Sequence, residues 1–140
     1  MWRIRGGQSE AAREVGSVVR SDVSVSIDQI ADLLAEVSAF VEQQGADVLF
    51  LPFGHVDDGN LHVNFAVPSS VVETLRPRLL DHLFGAVERR GGSISAELGV
   101  GRTKRQAIQQ IKSPVSLNLM TRIRDAIDPQ RTLNAGIGLV

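Results

Sequence analysis

The 140-residue chain has no cysteine, so disulfides, thiolate catalysis and cysteine-based zinc sites are excluded, and a reducing compartment is the economical expectation. No stretch approaches the ~18 apolar residues of a membrane span. The opening MWRIRGGQSE also lacks the apolar core of a secretory signal. Long runs of one charge are missing as well. Fifteen basic residues face 16 acidic ones for a net charge of −1, which leaves no electrostatic footprint for nucleic acid or a membrane surface. A cytoplasmic protein with no transmembrane segment and no nucleic-acid partner is expected. With 43% hydrophobic residues the chain can fill one core, and its length is too short for two ordinary domains, so residues 1–140 are expected to form one domain.

What is present is patterned. Val18–Ser26 (VVRSDVSVS) alternates and is valine-rich, which predicts a strand with Val23 and Val25 on one face and Asp22 and Ser24 on the other. Ser26 stands three before Gln29 in capping-box spacing, and Ile27, Ile30, Leu34, Val37 and Val41 then recur at helical spacing until Gly45. Strands are predicted at Val48–Leu51 and over Leu61, Val63, Phe65 and Val67, paired as a hairpin. Ser70 and Glu73 offer a second cap before a helix carrying Leu75, Leu79, Leu83 and Val87, with Pro77 near its start and Gly91-Gly92 at its end. A strand at Ser93–Glu97, a glycine-bounded loop (LGVGRTKR) and a helix from Pro114 to Ile127 follow. That last helix is predicted to turn Leu119, Met120, Ile123 and Ile127 inward and to stop at Asp128-Pro129. The order strand, helix, strand, strand, helix, strand predicts an α+β fold, an antiparallel sheet backed by helices on a ferredoxin-like plan.

Histidine is scarce, yet two of the three fall within FGHVDDGNLHVNF, Phe53 to Phe65. With Asp58-Gly59 as a two-residue hairpin loop, Asp57 faces Asn60, Val56 faces Leu61 and His55 faces His62. Opposed residues have Cβ atoms about 4.5–5.5 Å apart, so both imidazoles could ligate one cation. Asn64 shares their face, and Glu97 lies on one face of the Ser93–Glu97 strand with Ser93 and Ser95. Two histidines and a carboxylate with an open position is the ligand count of a catalytic zinc-type site. A histidine pair on a polar sheet face is more often solvated or hydrogen-bonded, so spacing alone leaves both readings open. His82 sits in a helix as a structural histidine. The GVGRTKR loop lacks the glycine spacing of a phosphate cradle, and no nucleophile-elbow pattern is present.

Three segments taken together resemble the C-terminal domain of FAD-linked oxidases of the vanillyl-alcohol-oxidase type, whose members oxidise glycolate, D-lactate and D-2-hydroxyglutarate. FGHVDDGNLHVNF is similar to that family's GHxGDGNLHxN, GGSISAELGVGRTKR to its GGSxSxEHGIGxxK, and DPQRTLNAGIGL to its DPxxxLNPGK close. MWRIRGGQSEAAREVG and VVRSDVSVS resemble its tryptophan-and-arginine helix and its Lys/Arg-x-Asp-x-Ser-x-Pro strand. The resemblance covers essentially the whole chain.

It implies roles residue by residue. His55, His62 and Glu97 match the ligands of a divalent metal of the zinc type, Asn64 matches a polar substrate contact, and Arg5, Ser9 and Arg20 match positions that hold the carboxylates of a 2-hydroxy acid. An arginine fork suits a carboxylate by its planar bidentate geometry. The implied chemistry is hydride transfer from a 2-hydroxy acid to FAD. The FAD-binding domain, which the family places N-terminal to this one, is absent from this chain, so FAD is expected only with such a domain in cis or as a partner subunit. The chain departs from the pattern at Leu98, which stands where the family has a histidine resembling a general base. It departs also at Asp57 in the GDG turn, at Ser26 for the strand proline, and at Ala135 and Ile137 in the closing motif. A leucine cannot accept a proton, so a non-catalytic metal- or carboxylate-binding module is the alternative. A metal-dependent hydrolase would need a base near the metal that the sequence does not offer.

Overall fold

In the computed structural model the described residues are Gly7, Glu14, 16–45 and 47–137. They fall into two compact units, the first ending at Glu97 and the second beginning at Leu98. The first unit carries a three-stranded antiparallel sheet: β1 is Ser17–Ser24, β2 is Leu49–His55 and β3 is Asn60–Val67, in the order β1-β3-β2. Helix α1 (Ile30–Glu42) joins β1 to β2, and helix α2 (Val72–Arg89) follows β3. This is the α+β arrangement the sequence predicts.

The alternation of β3 sorts its residues. Leu61, Val63, Phe65 and Val67 are buried against the helices, where Val19 and Val23 of β1 join them. Leu33, Val37 and Val41 come from α1, and Leu75, Leu79, Leu83, Ala86 and Val87 from α2, to complete this core. Asn60, His62 and Asn64 occupy the other face. Between the helices, Glu36 of α1 accepts from Arg89, and Arg90 Nη1 lies 2.7 Å from its second oxygen. The His82 ring stacks on Phe40 with centroids 3.8 Å apart and planes 4° from parallel, a structural role in keeping with its sequence context.

Several local expectations are corrected. The helix after β1 begins as a 3-10 turn, Ile27–Gln29, and Ser26 makes no side-chain cap, although its carbonyl accepts from the Gln29 N–H at 2.9 Å. The 3-10 turn rotates the apolar stripe, so Ile27 is exposed and Leu34 half-buried while Leu33 enters the core. Helix α2 starts at Val72 without a cap from Ser70 and runs through Pro77.

The hairpin register differs by two residues from the predicted one. His55 faces Asn60, Gly54 faces Leu61 and Phe53 faces His62. The loop is longer because Val56–Asp58 form a 3-10 turn closed by Gly59 at φ 72°, with Asn60 N–H donating to Asp58 Oδ1 at 3.0 Å. A Cβ at Gly59 would stand 1.9 Å from the Val25 carbonyl oxygen, so both the left-handed backbone and the close approach to the residue after β1 demand glycine. A slip of two preserves the side-chain face, whereas a slip of one would have reversed it.

The predicted strand Ser93–Glu97 is not formed. Its sole ladder contact is a bridge between Ser24 and Ser93, both N–H···O distances being 2.8 Å. Gly92 permits that approach, since a Cβ there would meet the Ser24 carbonyl oxygen at 2.3 Å.

The second unit contains α3 (Arg105–Ile111), a short helix between the glycine-bounded loop and the last helix for which the sequence pattern gives no expectation, and α4 (Pro114–Ile127) at the predicted bounds. Ser113 caps α4, its side chain accepting from Ser116 N–H at 3.2 Å. Asp128 ends it: Oδ1 accepts from the Thr132 N–H and hydroxyl and Oδ2 from the Leu133 N–H. The predicted inward face is outward. Val115, Leu119, Ile123 and Ile127, spaced by four, are each more than half exposed, Met120 is exposed beside them, and α4 buries no residue. No helix among the described residues is long and apolar enough to cross a membrane.

Candidate metal centre

On the sheet face turned away from the core, three side chains converge. His55 ends β2, His62 is the third residue of β3, and Glu97 closes the segment that follows the Ser24–Ser93 bridge. Because His55 opposes Asn60 rather than His62, the histidines are diagonal neighbours, with ring centroids 5.6 Å apart and planes at 82°. Glu97 reaches both: Oε1 lies 3.3 Å from His55 Nε2 and Oε2 lies 3.5 Å from His62 Nε2. One ligand atom from each residue falls within 4.8 Å of the other two. The imidazoles are half-buried and the carboxylate exposed, so the triad opens toward solvent.

These donors fit a divalent cation of the zinc type. Two imidazole nitrogens and one carboxylate oxygen form the mixed nitrogen and oxygen set of an open three-ligand site. Phe53, opposite His62 on β2, sets its ring 5.2 Å from the imidazole and forms an apolar wall on one side.

The same face carries two further candidates. Arg20 of β1 directly opposes Asn64 of β3, one same-face step along the strands from the Asp22–His62 pair. That step is about 7 Å. Arg20 is exposed and Asn64 buried. Arg5 and Ser9, the other two candidates for carboxylate binding, lie outside the described residues. Leu98, at the position where the family pattern has histidine, is exposed and begins the second unit.

One residue near the triad is given no role by any motif of the sequence. Asp22 is 1% exposed, and its Oδ2 accepts from the Ala96 N–H at 2.9 Å and the Glu97 N–H at 3.1 Å. The signal was present as an acidic residue in an otherwise valine- and serine-rich strand, but its partners are 74 and 75 residues away, beyond any local pattern.

Comparison with known proteins gives a consistent picture. The model of the family described as "FAD linked oxidases, C-terminal domain" matches residues 1–137. The chain is 35% identical over 133 residues to a protein of Oryza sativa subsp. indica named probable D-2-hydroxyglutarate dehydrogenase, mitochondrial, covering 95% of this chain and 23% of that one. It is 31% identical over 147 residues to the D-2-hydroxyglutarate dehydrogenase of Stutzerimonas stutzeri strain A1501, covering 97% and 30%. With the mitochondrial D-2-hydroxyglutarate dehydrogenase of Bos taurus it shares 31% over 137 residues, covering 96% and 24%. The chain thus spans between 23% and 30% of the length of these relatives.

Proposed function

Because the chain belongs to the family of FAD linked oxidases, C-terminal domain, we propose that it is the substrate-side domain of an FAD-dependent dehydrogenase that takes hydride from a 2-hydroxy acid. The relatives' names point to D-2-hydroxyglutarate or a close analogue as the substrate. The observation that carries this reading is one sheet face holding His55, His62 and Glu97 beside Arg20 and Asn64.

Each residue has a task. His55, His62 and Glu97 would hold a divalent cation. When bound, the cation would supply Lewis-acid polarisation of the substrate hydroxyl, and the flavin of the larger enzyme would supply the hydride acceptor. Arg20 offers a planar pair of N–H donors to a carboxylate, with Asn64 across the rung able to donate or accept beside it. Phe53 limits water on the His62 side. The flavin belongs to a partner domain, in cis or as a separate subunit. The apolar stripe of α4, Val115, Leu119, Ile123 and Ile127, supports such a partner, because a stripe of that length in water is unfavourable unless covered.

A second reading has its own observation. Leu98 offers no proton acceptor where the family pattern has histidine. A positioned base contributes about 10²–10⁴-fold to such a step. A domain that binds metal and carboxylate without turnover would fit that loss.

The test is single-turnover flavin reduction in the flavin-containing form, with a panel of 2-hydroxy acids. Reduction by a 2-hydroxy dicarboxylate, lost in a His55→Ala, His62→Ala double variant, supports the enzyme. Reduction by no member of the panel, with Leu98→His giving no gain, supports the binding module.

A further inference from the structure

Glu97 is the least constrained member of the triad. It is exposed, it lies on no strand, and the segment leading to it leaves the sheet after one bridge. A long side chain on a loose backbone would lose much conformational freedom on reaching two imidazoles at once. Something must fix the backbone first.

The Ser93–Glu97 segment is held at two levels. At its start, Ser93 exchanges both backbone hydrogen bonds with Ser24, and the Ser93 side chain donates to the Ser95 carbonyl at 3.0 Å. Past that point the ladder stops: the Ser95 N–H donates to the Ser93 hydroxyl at 3.3 Å, and the Ala96 and Glu97 N–H groups turn to one side-chain oxygen, Asp22 Oδ2. Asp22 occupies β1 directly opposite His62 of β3. One buried carboxylate therefore ties the backbone of the third ligand to the rung that carries the second.

We propose that Asp22 is a positioning residue for the metal centre: its carboxylate replaces the missing fourth strand and sets Glu97 between the two imidazoles. The inference rests on the metal reading of the triad and names a residue that does not itself join the ligand set. Two backbone N–H groups converging on its carboxylate satisfy an acid at a site with 1% exposure. An amide in its place offers one neutral oxygen, a weaker acceptor for both N–H groups, and puts an NH2 where the second carboxylate oxygen stood.

The experiment measures zinc affinity of the 140-residue chain by competition with a chromophoric chelator, together with amide hydrogen exchange. Asp22→Asn is expected to weaken zinc binding by about 10–100-fold, the usual effect of losing a residue that orients a ligand. It should also lower exchange protection at Ala96 and Glu97 while Ser24 and Ser93 keep theirs. Val19→Ala, a core substitution on the same strand, should lower stability and leave zinc affinity unchanged. The deciding comparison is Glu97→Ala against the Asp22→Asn, Glu97→Ala double variant: if Asp22 acts through Glu97, the two bind zinc equally. A loss from Asp22→Asn that is as large without Glu97 as with it overturns the proposal, and so does unchanged affinity in Asp22→Asn. Should Asp22→Asn not fold, Ala96→Pro deletes one donor from an exposed position without touching β1, and the same outcomes apply. A wild-type chain that takes up no zinc overturns the metal reading itself, whereas normal zinc binding that is indifferent to Asp22 overturns only the positioning role.

Discussion

Helices α2 and α4 present the same kind of sequence and meet opposite fates. In α2, Leu75, Leu79, Leu83 and Val87 recur every four residues and are buried against the sheet of the first unit. In α4, Val115, Leu119, Ile123 and Ile127 recur at the same spacing and stand in solvent. A periodic apolar stripe states that a helix needs a neighbour, and it says nothing about which polypeptide segment supplies it. For α2 the neighbour lies in the same 97 residues; for α4 the described residues of its unit do not supply one.

The sharpest way to break this contrast is to truncate both stripes. Leu83→Ala, at a site with no exposure, is expected to cost about 2–5 kcal/mol. Ile123→Ala should change stability by less than about 0.5 kcal/mol. Denaturant titrations of the two variants check this, and equal losses would mean that α4 is packed in solution.

Zinc sharpens the contrast from the other side. At a concentration of 100 times its dissociation constant it should stabilise the wild-type first unit by about 2.7 kcal/mol and leave the His55→Ala, His62→Ala variant unchanged. Thermal melts with and without the ion would show it.

A smaller effect concerns the cap of α4. Ser113→Ala removes the acceptor for the Ser116 N–H and should cost about 1 kcal/mol, read as lost helical circular dichroism with the zinc affinity intact.

The mildest test is pH. Burial holds His82 below its ordinary value of 6.5, against the pull of Glu36, whose Oε1 lies 3.8 Å from Nε2, too far for a hydrogen bond. The unfolded chain therefore takes up a proton below about pH 6.5 before the folded chain does, and stability declines from there down to the lowered pKa. Glu36 is raised by burial, but hydrogen bonds from Arg90 and Arg89 outweigh this and hold it below its ordinary 4.5. Its contribution is complete above that value and lost as pH falls through the lowered one. Midpoints of denaturation across pH should show both declines in the wild type, and His82→Gln should abolish the first while keeping the second.

How much of this was legible depended on range in sequence. The alternation of Leu61, Val63 and Phe65 located β3, and Leu79 with Leu83 located α2, because both patterns report local geometry. The Asp58-Gly59 pair marked a turn correctly but not its length: Gly59 closes a 3-10 turn instead of forming a two-residue loop, and the difference lies in its contact with Val25, just past the end of β1. The histidines still met, since the register moved by two. Ser93–Glu97 alternated like a strand and was not one, because the Ser93 hydroxyl took the Ser95 N–H and a carboxylate from β1 took those of Ala96 and Glu97. Only long-range contacts decide such cases. That Glu97 joins the histidines was implied by family resemblance, while the need for Asp22 emerged from the folded chain.

On β3, residues 60, 62 and 64 share the face of the candidate site and residues 61, 63, 65 and 67 line the core. Two specifications are interleaved on one ribbon at alternating positions. Substitutions on the face of the candidate site can therefore alter its donor set without unfolding the domain. A single inserted or deleted codon within β3 has no such latitude, because it exchanges the two sets at once. A lineage bearing this domain should accumulate site substitutions in β3 far more readily than changes in its length.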